Sequence, residues 1–166
     1  MRIVDSLLIE FEREAETTKR FLSQVPTEKL SWKPTEKSLS LGQIAFHIAT
    51  IPKITATVAS AETFEVPKFD TFPTVESADE LLPMLEKSVS EAKEILNRFE
   101  NEEIMKLWIL TKGGNEIASM PRVAVIRSVM LNHWYHHRGQ LSIYLRMLGC
   151  FVPASYGPSA DEDPYA

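Results

Sequence analysis

Residues 121–149, PRVAVIRSVMLNHWYHHRGQLSIYLRMLG, decide the fold. Ile126, Met130, His133, His137, Leu141, Tyr144 and Leu148 recur at three- and four-residue steps, which lays one stripe along an α-helix. Pro121 suits a first helical position, where its missing N–H costs nothing. Gly149 suits the left-handed cap that ends a helix. The spacing predicts one long helix from Pro121 to Leu148.

Upstream of it the period changes. Lys106–Thr111 and Glu116–Met120 flank a turn at Gly113-Gly114-Asn115, which predicts a short β-hairpin within 103–120. Further upstream helical spacing returns. Ser77 with Glu80 forms a capping box ahead of Leu81, Leu85, Val89, Ala92, Leu96 and Phe99, and Pro83 should distort the early turns. Ser40 with Gln43 caps a helix whose stripe is Ile44, His47, Ile48 and Ile51, with a kink or break at Pro52. The first helix carries Ile3, Leu7, Phe11, Ala15, Thr18, Leu22 and Val25 opposite Glu10, Glu12, Arg13, Glu16 and Lys19, and should stop before Pro26. Residues 26–39, around Trp32 and Pro34, read as a loop. So does an irregular stretch over 62–76, where Phe64, Phe69 and Phe72 should pack back onto the body. The tail, PASYGPSADEDPYA, is turn-rich and acidic.

The expected fold class is therefore all-α: residues 1–166 as one four-helix-bundle domain with long connections and the hairpin outside it. At 166 residues, 44% hydrophobic and 25% charged, the chain is of the globular type rather than disordered. Eighteen basic against twenty-three acidic residues give a net charge of −5, which argues against a nucleic-acid partner. No apolar run approaches the ~18 residues of a membrane span. The opening MRIVDSLLIEFERE is broken by charge at Asp5, Glu10, Glu12, Arg13 and Glu14, unlike a signal-peptide core. Cys150 is the single cysteine, so neither a disulfide within the chain nor a cysteine metal site is available. A reducing cytoplasm is the expected compartment.

Chemistry points to the four histidines, His47, His133, His136 and His137. His133 and His137, four apart, project from one helical face, and His47 interrupts the stripe of the second helix. Burying three imidazoles is costly unless their nitrogens find partners. A divalent metal would supply one, and hydrogen bonds within the core would supply others; spacing alone leaves both open. His136 falls off the stripe and should be exposed. Arg138 and Gln140 neighbour the pair but should point elsewhere on the helix, in structural roles. Trp32 and Tyr156 are candidates for a pocket mouth, Tyr144 for the core. No Ser-His-Asp spacing, phosphate-cradling loop or paired carboxylate stands out.

The string Asn132-His-Trp-Tyr-His-His-Arg-Gly-Gln140, with Leu141 and Tyr144-Leu-Arg146 after it, resembles the signature of the DinB/YfiT-like family. The segment with Trp32, Pro34 and Ser40 through His47 is similar to the same family, as is the closing Val152-Pro-x-x-Tyr-Gly-Pro-Ser159. The resemblance implies a four-helix bundle with a three-histidine site for a divalent metal, nickel or zinc, whose ligands here would be His47, His133 and His137. It also implies a small-molecule substrate: some relatives transfer low-molecular-weight thiols such as bacillithiol or mycothiol to electrophiles, and a mycothiol-dependent maleylpyruvate isomerase is related. Many members have no known activity.

A metal held by three neutral ligands keeps its double charge and open positions, the catalytic rather than the structural pattern. It can activate a bound water or hold a thiol as its thiolate. Cys150 lies away from the histidine face, so a thiolate would come from a cosubstrate. The leading expectation is a metal-dependent enzyme, thiol-S-transferase-like or hydrolytic. The alternatives are a non-catalytic metal-binding bundle and a bundle whose histidines are structural. A homodimer is the expected assembly if an apolar outer face is left.

Overall fold

Helices form where the three- and four-residue periodicity runs, and the computed structural model, which describes residues 1–68 and 71–166, fixes their phase. Phe69, grouped above with Phe64 and Phe72, lies outside the described residues. Helix α1 (Ile3–Leu22) buries Leu7, Phe11, Ala15, Thr18 and Leu22. Its stripe begins at Val4, which is fully buried, rather than at Ile3, which is 37% exposed.

Helix α2 (Leu41–Ser60) starts at the expected box: the Gln43 N–H donates to Ser40 Oγ at 3.2 Å and the Ser40 N–H to Gln43 Oε1 at 2.9 Å. Ser40→Ala should cost about 0.5–2 kcal/mol in a denaturant titration. A loss below ~0.2 kcal/mol, under the lower limit measured for caps, would show that this end needs no cap. Pro52 sits inside α2 without ending it. A proline leaves the carbonyl four residues earlier without its helical partner. That carbonyl, Ile48, accepts instead from Trp134 Nε1 at 2.9 Å, and the next amide, Lys53 N–H, donates to Ser88 Oγ at 3.0 Å. The proline is tolerated because neighbouring helices supply both partners.

Ser77 caps a 3-10 turn (Ala78–Glu80) that runs into α3 (Leu81–Leu96). Pro83 falls within the first turn, where amides have no partner to lose, and the helix stays whole. A short α4 (Asn101–Met105) leads to the region of changed period.

There the all-α expectation is corrected. The chain is mostly helical but holds a three-stranded sheet, in which β2 (Leu107–Lys112) and β3 (Asn115–Pro121) form the predicted hairpin. Its turn residues Gly113 and Gly114 both have positive φ, 59° and 78°, as a tight hairpin turn requires. A third strand, β1 (Thr63–Glu65), comes from the stretch expected to be irregular and pairs parallel with β2, Thr63 opposite Ile109. The sheet is not outside the core: Trp108 is buried, its Nε1 donates to the Val58 carbonyl at 3.0 Å, and Phe64 stacks on it.

The last helical stretch is continuous but not uniform: α5 (Arg122–Val125), a π-helical segment (Ile126–Asn132) and α6 (His133–Met147) follow one another. Pro121 is the residue before the helix, not its first. Wider i→i+5 bonding puts an extra residue into the turn, so a 3.6-residue stripe carried across it loses phase. Ile126, Met130 and Leu141 are buried as expected. Beyond the π segment the fully buried residues are Trp134, Arg138, Leu141 and Leu145, while His133, His137, Tyr144 and Leu148 are half-buried at the stripe's edge. Gly149, φ 72°, ends the helix as expected. Helix α2 packs against α3 and α6, and α1 against α3 and α6. Asp161, paired with Arg146, and Glu162, paired with Arg20, fasten the acidic tail to this frame. Among the described residues no helix is long and apolar enough to cross a membrane.

Candidate metal centre

His47 lies in the second turn of α2, and His133 and His137 in the first two turns of α6, where these helices pack together. His133 Nε2 is 3.3 Å from His47 Nε2 and 2.7 Å from His137 Nε2. One nitrogen from each of the three rings lies within 4.8 Å of the others. Ligands about 2.0–2.1 Å from a single ion would stand about 2.9–3.4 Å apart; the 3.3 Å separation falls within that range and the 2.7 Å one just below it. The trio named from the sequence is thus one cluster.

Two of the rings also have partners outside the cluster. His137 Nδ1 is 2.8 Å from Gln140 Oε1, and His133 has a hydrogen bond with the Val129 backbone. Phe72 stands edge-on to His47, ring centres 6.2 Å apart, and its carbonyl accepts from Gln43 Nε2 at 3.2 Å. The loop aromatic expected to pack back therefore borders the cluster.

Burial dominates the electrostatics. It pushes His47 down to about 4, with the charges of His137 and His133 adding to it. His137 also falls to about 4, against the hydrogen bond with Gln140, and burial lowers His133 as well. All three are neutral near pH 7, the form a metal needs, and proton competition starts below the usual imidazole range. The sign for folding follows: unfolded imidazole titrates near 6.5 and the folded His47 and His137 near 4. Their contribution is complete above pH 6.5 and is lost as pH falls toward 4. Metal-free protein should begin to lose stability as pH falls below 6.5, and the upper part of that loss, above about pH 5.5, precedes the titration of ordinary carboxylates. His137→Gln should flatten that slope, and an unchanged slope would show that the buried imidazoles do not set it.

The other residues divide. His136 is exposed, its ring 5.0 Å from that of His137. Gln140 does not point elsewhere, as expected from the sequence, but back to His137. Arg138 does point away: it is buried between α1 and α6, ion-paired with Glu14, and donates to Thr18 Oγ1 at 3.1 Å and the Tyr156 hydroxyl at 2.8 Å. Tyr156 therefore belongs to this network. Trp32 packs edge-on to Tyr144 at 5.5 Å, and the Tyr144 hydroxyl donates to the Leu39 carbonyl. Cys150 is half-buried and burial raises its pKa, so it stays a thiol at neutral pH. Two residues around the site escaped the stripe, Trp134 and Gln140; the second was detectable as a polar side chain three residues after a histidine.

The sequence profile of the DinB family matches residues 1–164. A Bacillus subtilis (strain 168) relative, the uncharacterized protein YrdA, is 28% identical over 160 residues, 96% of this chain and 91% of that one. The structure is similar to a DinB-like protein from Bacillus cereus (TM-score 0.72, 22% identity, 92% of this chain and 97% of that one). It is also similar to a DinB-like protein from Bacillus subtilis (TM-score 0.69, 20% identity, 91% and 97%). At these identities the two structures speak for the fold.

Proposed function

We propose, because this chain belongs to the DinB family, that His47, His133 and His137 together hold one divalent metal ion, nickel or zinc, in a single four-helix-bundle domain. The observation that carries this reading is the approach of three Nε2 atoms from two helices to a common point. The donor set fits: three neutral imidazoles, with Gln140 engaging the opposite nitrogen of one of them. When bound, such an ion supplies Lewis acidity and a nucleophile at neutral pH.

We read the protein as a metal-dependent enzyme acting on a small molecule, by transfer of a low-molecular-weight thiol to an electrophile or by hydrolysis. Within that reading the chain's own residues have defined tasks. His47, His133 and His137 bind, Gln140 orients His137, and Phe72 screens His47 from water on one side. His136 stays outside, and Cys150 takes no part.

The test begins with metal content by plasma mass spectrometry on protein purified without a histidine tag. Wild type should carry close to one ion per chain. His47→Ala, His133→Ala and His137→Ala should each lose most of it, and His136→Ala should keep it. Full occupancy in all three ligand variants would end the assignment. Turnover of a thiol with an electrophile, abolished by chelator and restored by added ion, would support the enzyme. Normal metal content without turnover would leave a metal-binding bundle.

A further inference from the structure

We infer that Gln140 is a positioning residue for the three-histidine centre: its side-chain oxygen fixes the His137 tautomer and so aims Nε2 at the other two rings. The inference rests on the metal-site reading above. Gln140 lies three residues after His137 on α6, which places both on one face of the helix, and its Oε1 is 2.8 Å from His137 Nδ1. An amide oxygen only accepts, so Nδ1 carries the proton and Nε2 keeps its lone pair. His133 lies one turn after Val129 of the π segment, whose backbone favours its protonated ring against burial. The His137 Nε2 lone pair therefore faces His133 Nε2 at 2.7 Å. With its proton held on Nδ1, His137 offers that point a lone pair, which is what a shared cation would need.

Nothing in packing asks for this residue. Gln140 is exposed, so its replacement leaves the core alone. Hydrogen-bond partners on the far nitrogen of metal-binding histidines typically change metal affinity 10- to 100-fold when removed.

The experiment compares wild type, Gln140→Met and Gln140→Glu by titration with Zn²⁺ and Ni²⁺ against a competing chelator. Nitrogen-15 NMR of the His137 ring is recorded on the same proteins without metal. Gln140→Met should bind about 10–100-fold more weakly, and its metal-free His137 should shift from the Nδ1–H toward the Nε2–H tautomer. Gln140→Glu, which accepts but cannot donate, should keep wild-type affinity or exceed it and retain the Nδ1–H form.

Wild-type affinity in Gln140→Met would overturn the inference. So would equal losses in both variants, since that would mean the amide donates rather than accepts. If wild type binds neither ion, the metal reading fails on its own. The metal-free spectra then decide the positioning role: it stands if Gln140→Met alone loses the Nδ1–H form, and falls if wild type lacks it.

Discussion

Replacing Arg138 with methionine is expected to destabilise the protein by about 3–5 kcal/mol, the cost of breaking a buried ion pair by removing one partner. Arg138 is 2% exposed and Glu14 5% exposed. The guanidinium also bonds Thr18 and Tyr156 and lies over the rings of Tyr135 and Tyr156, 5.4 and 5.3 Å from their centres. Without it the Glu14 carboxylate keeps the Tyr156 hydroxyl, 3.1 Å away, but no countercharge in this network. Adding Glu14→Leu should recover most of the loss, because exchanging both partners for apolar groups is often close to neutral. Thr18 can then bond the Glu14 carbonyl of its own helix. Denaturant midpoints at unchanged slope measure all three variants. A single-variant cost below ~1 kcal/mol, the scale of an exposed pair, would mean that water reaches the charges.

This pair also shows where the sequence is readable. Periodicity located the helices and hairpin because each is a local pattern, and it put His47, His133 and His137 on adjoining surfaces without naming their partners. It could not foresee Arg138 and Glu14 in the core, since either charge alone would be excluded from it and only their meeting across two helices makes burial tolerable. Strand β1 escaped for a related reason: three residues are too few for a period, and parallel pairing with Ile109–Thr111 joins segments more than forty residues apart. The π segment is a third case. Nothing in IRSVMLN marks the widened turn, yet it moves Trp134 and Arg138 into the core and leaves His133 and His137 at its edge. That edge placement makes the cluster a candidate site rather than packing, because a ligand could reach it.

Trp134→Ala should be similarly severe, about 3–5 kcal/mol for a large buried aromatic. Its ring is fully buried and packs on Phe11 at 5.5 Å between ring centres. The more informative change is Trp134→Phe, which keeps most of the volume and removes the N–H that meets Ile48. Pro52 has already deprived that carbonyl of its helical donor, so the substitution should leave it unsatisfied at about 1–3 kcal/mol. Alanine at position 52 returns a backbone N–H four residues from Ile48. In a Pro52→Ala background, Trp134→Phe should therefore cost clearly less, with a coupling of about 1 kcal/mol in the double-mutant cycle, within the range for residues that share a partner. Strict additivity would break the link between the proline and the indole. The link matters for the metal centre because Ile48 follows His47 and Trp134 follows His133. One hydrogen bond joins the two helices beside the imidazoles they bring together, so Trp134→Phe should also weaken Zn²⁺ binding, and Pro52→Ala should not restore it, since the returned bond lies within α2 and no longer spans the helices.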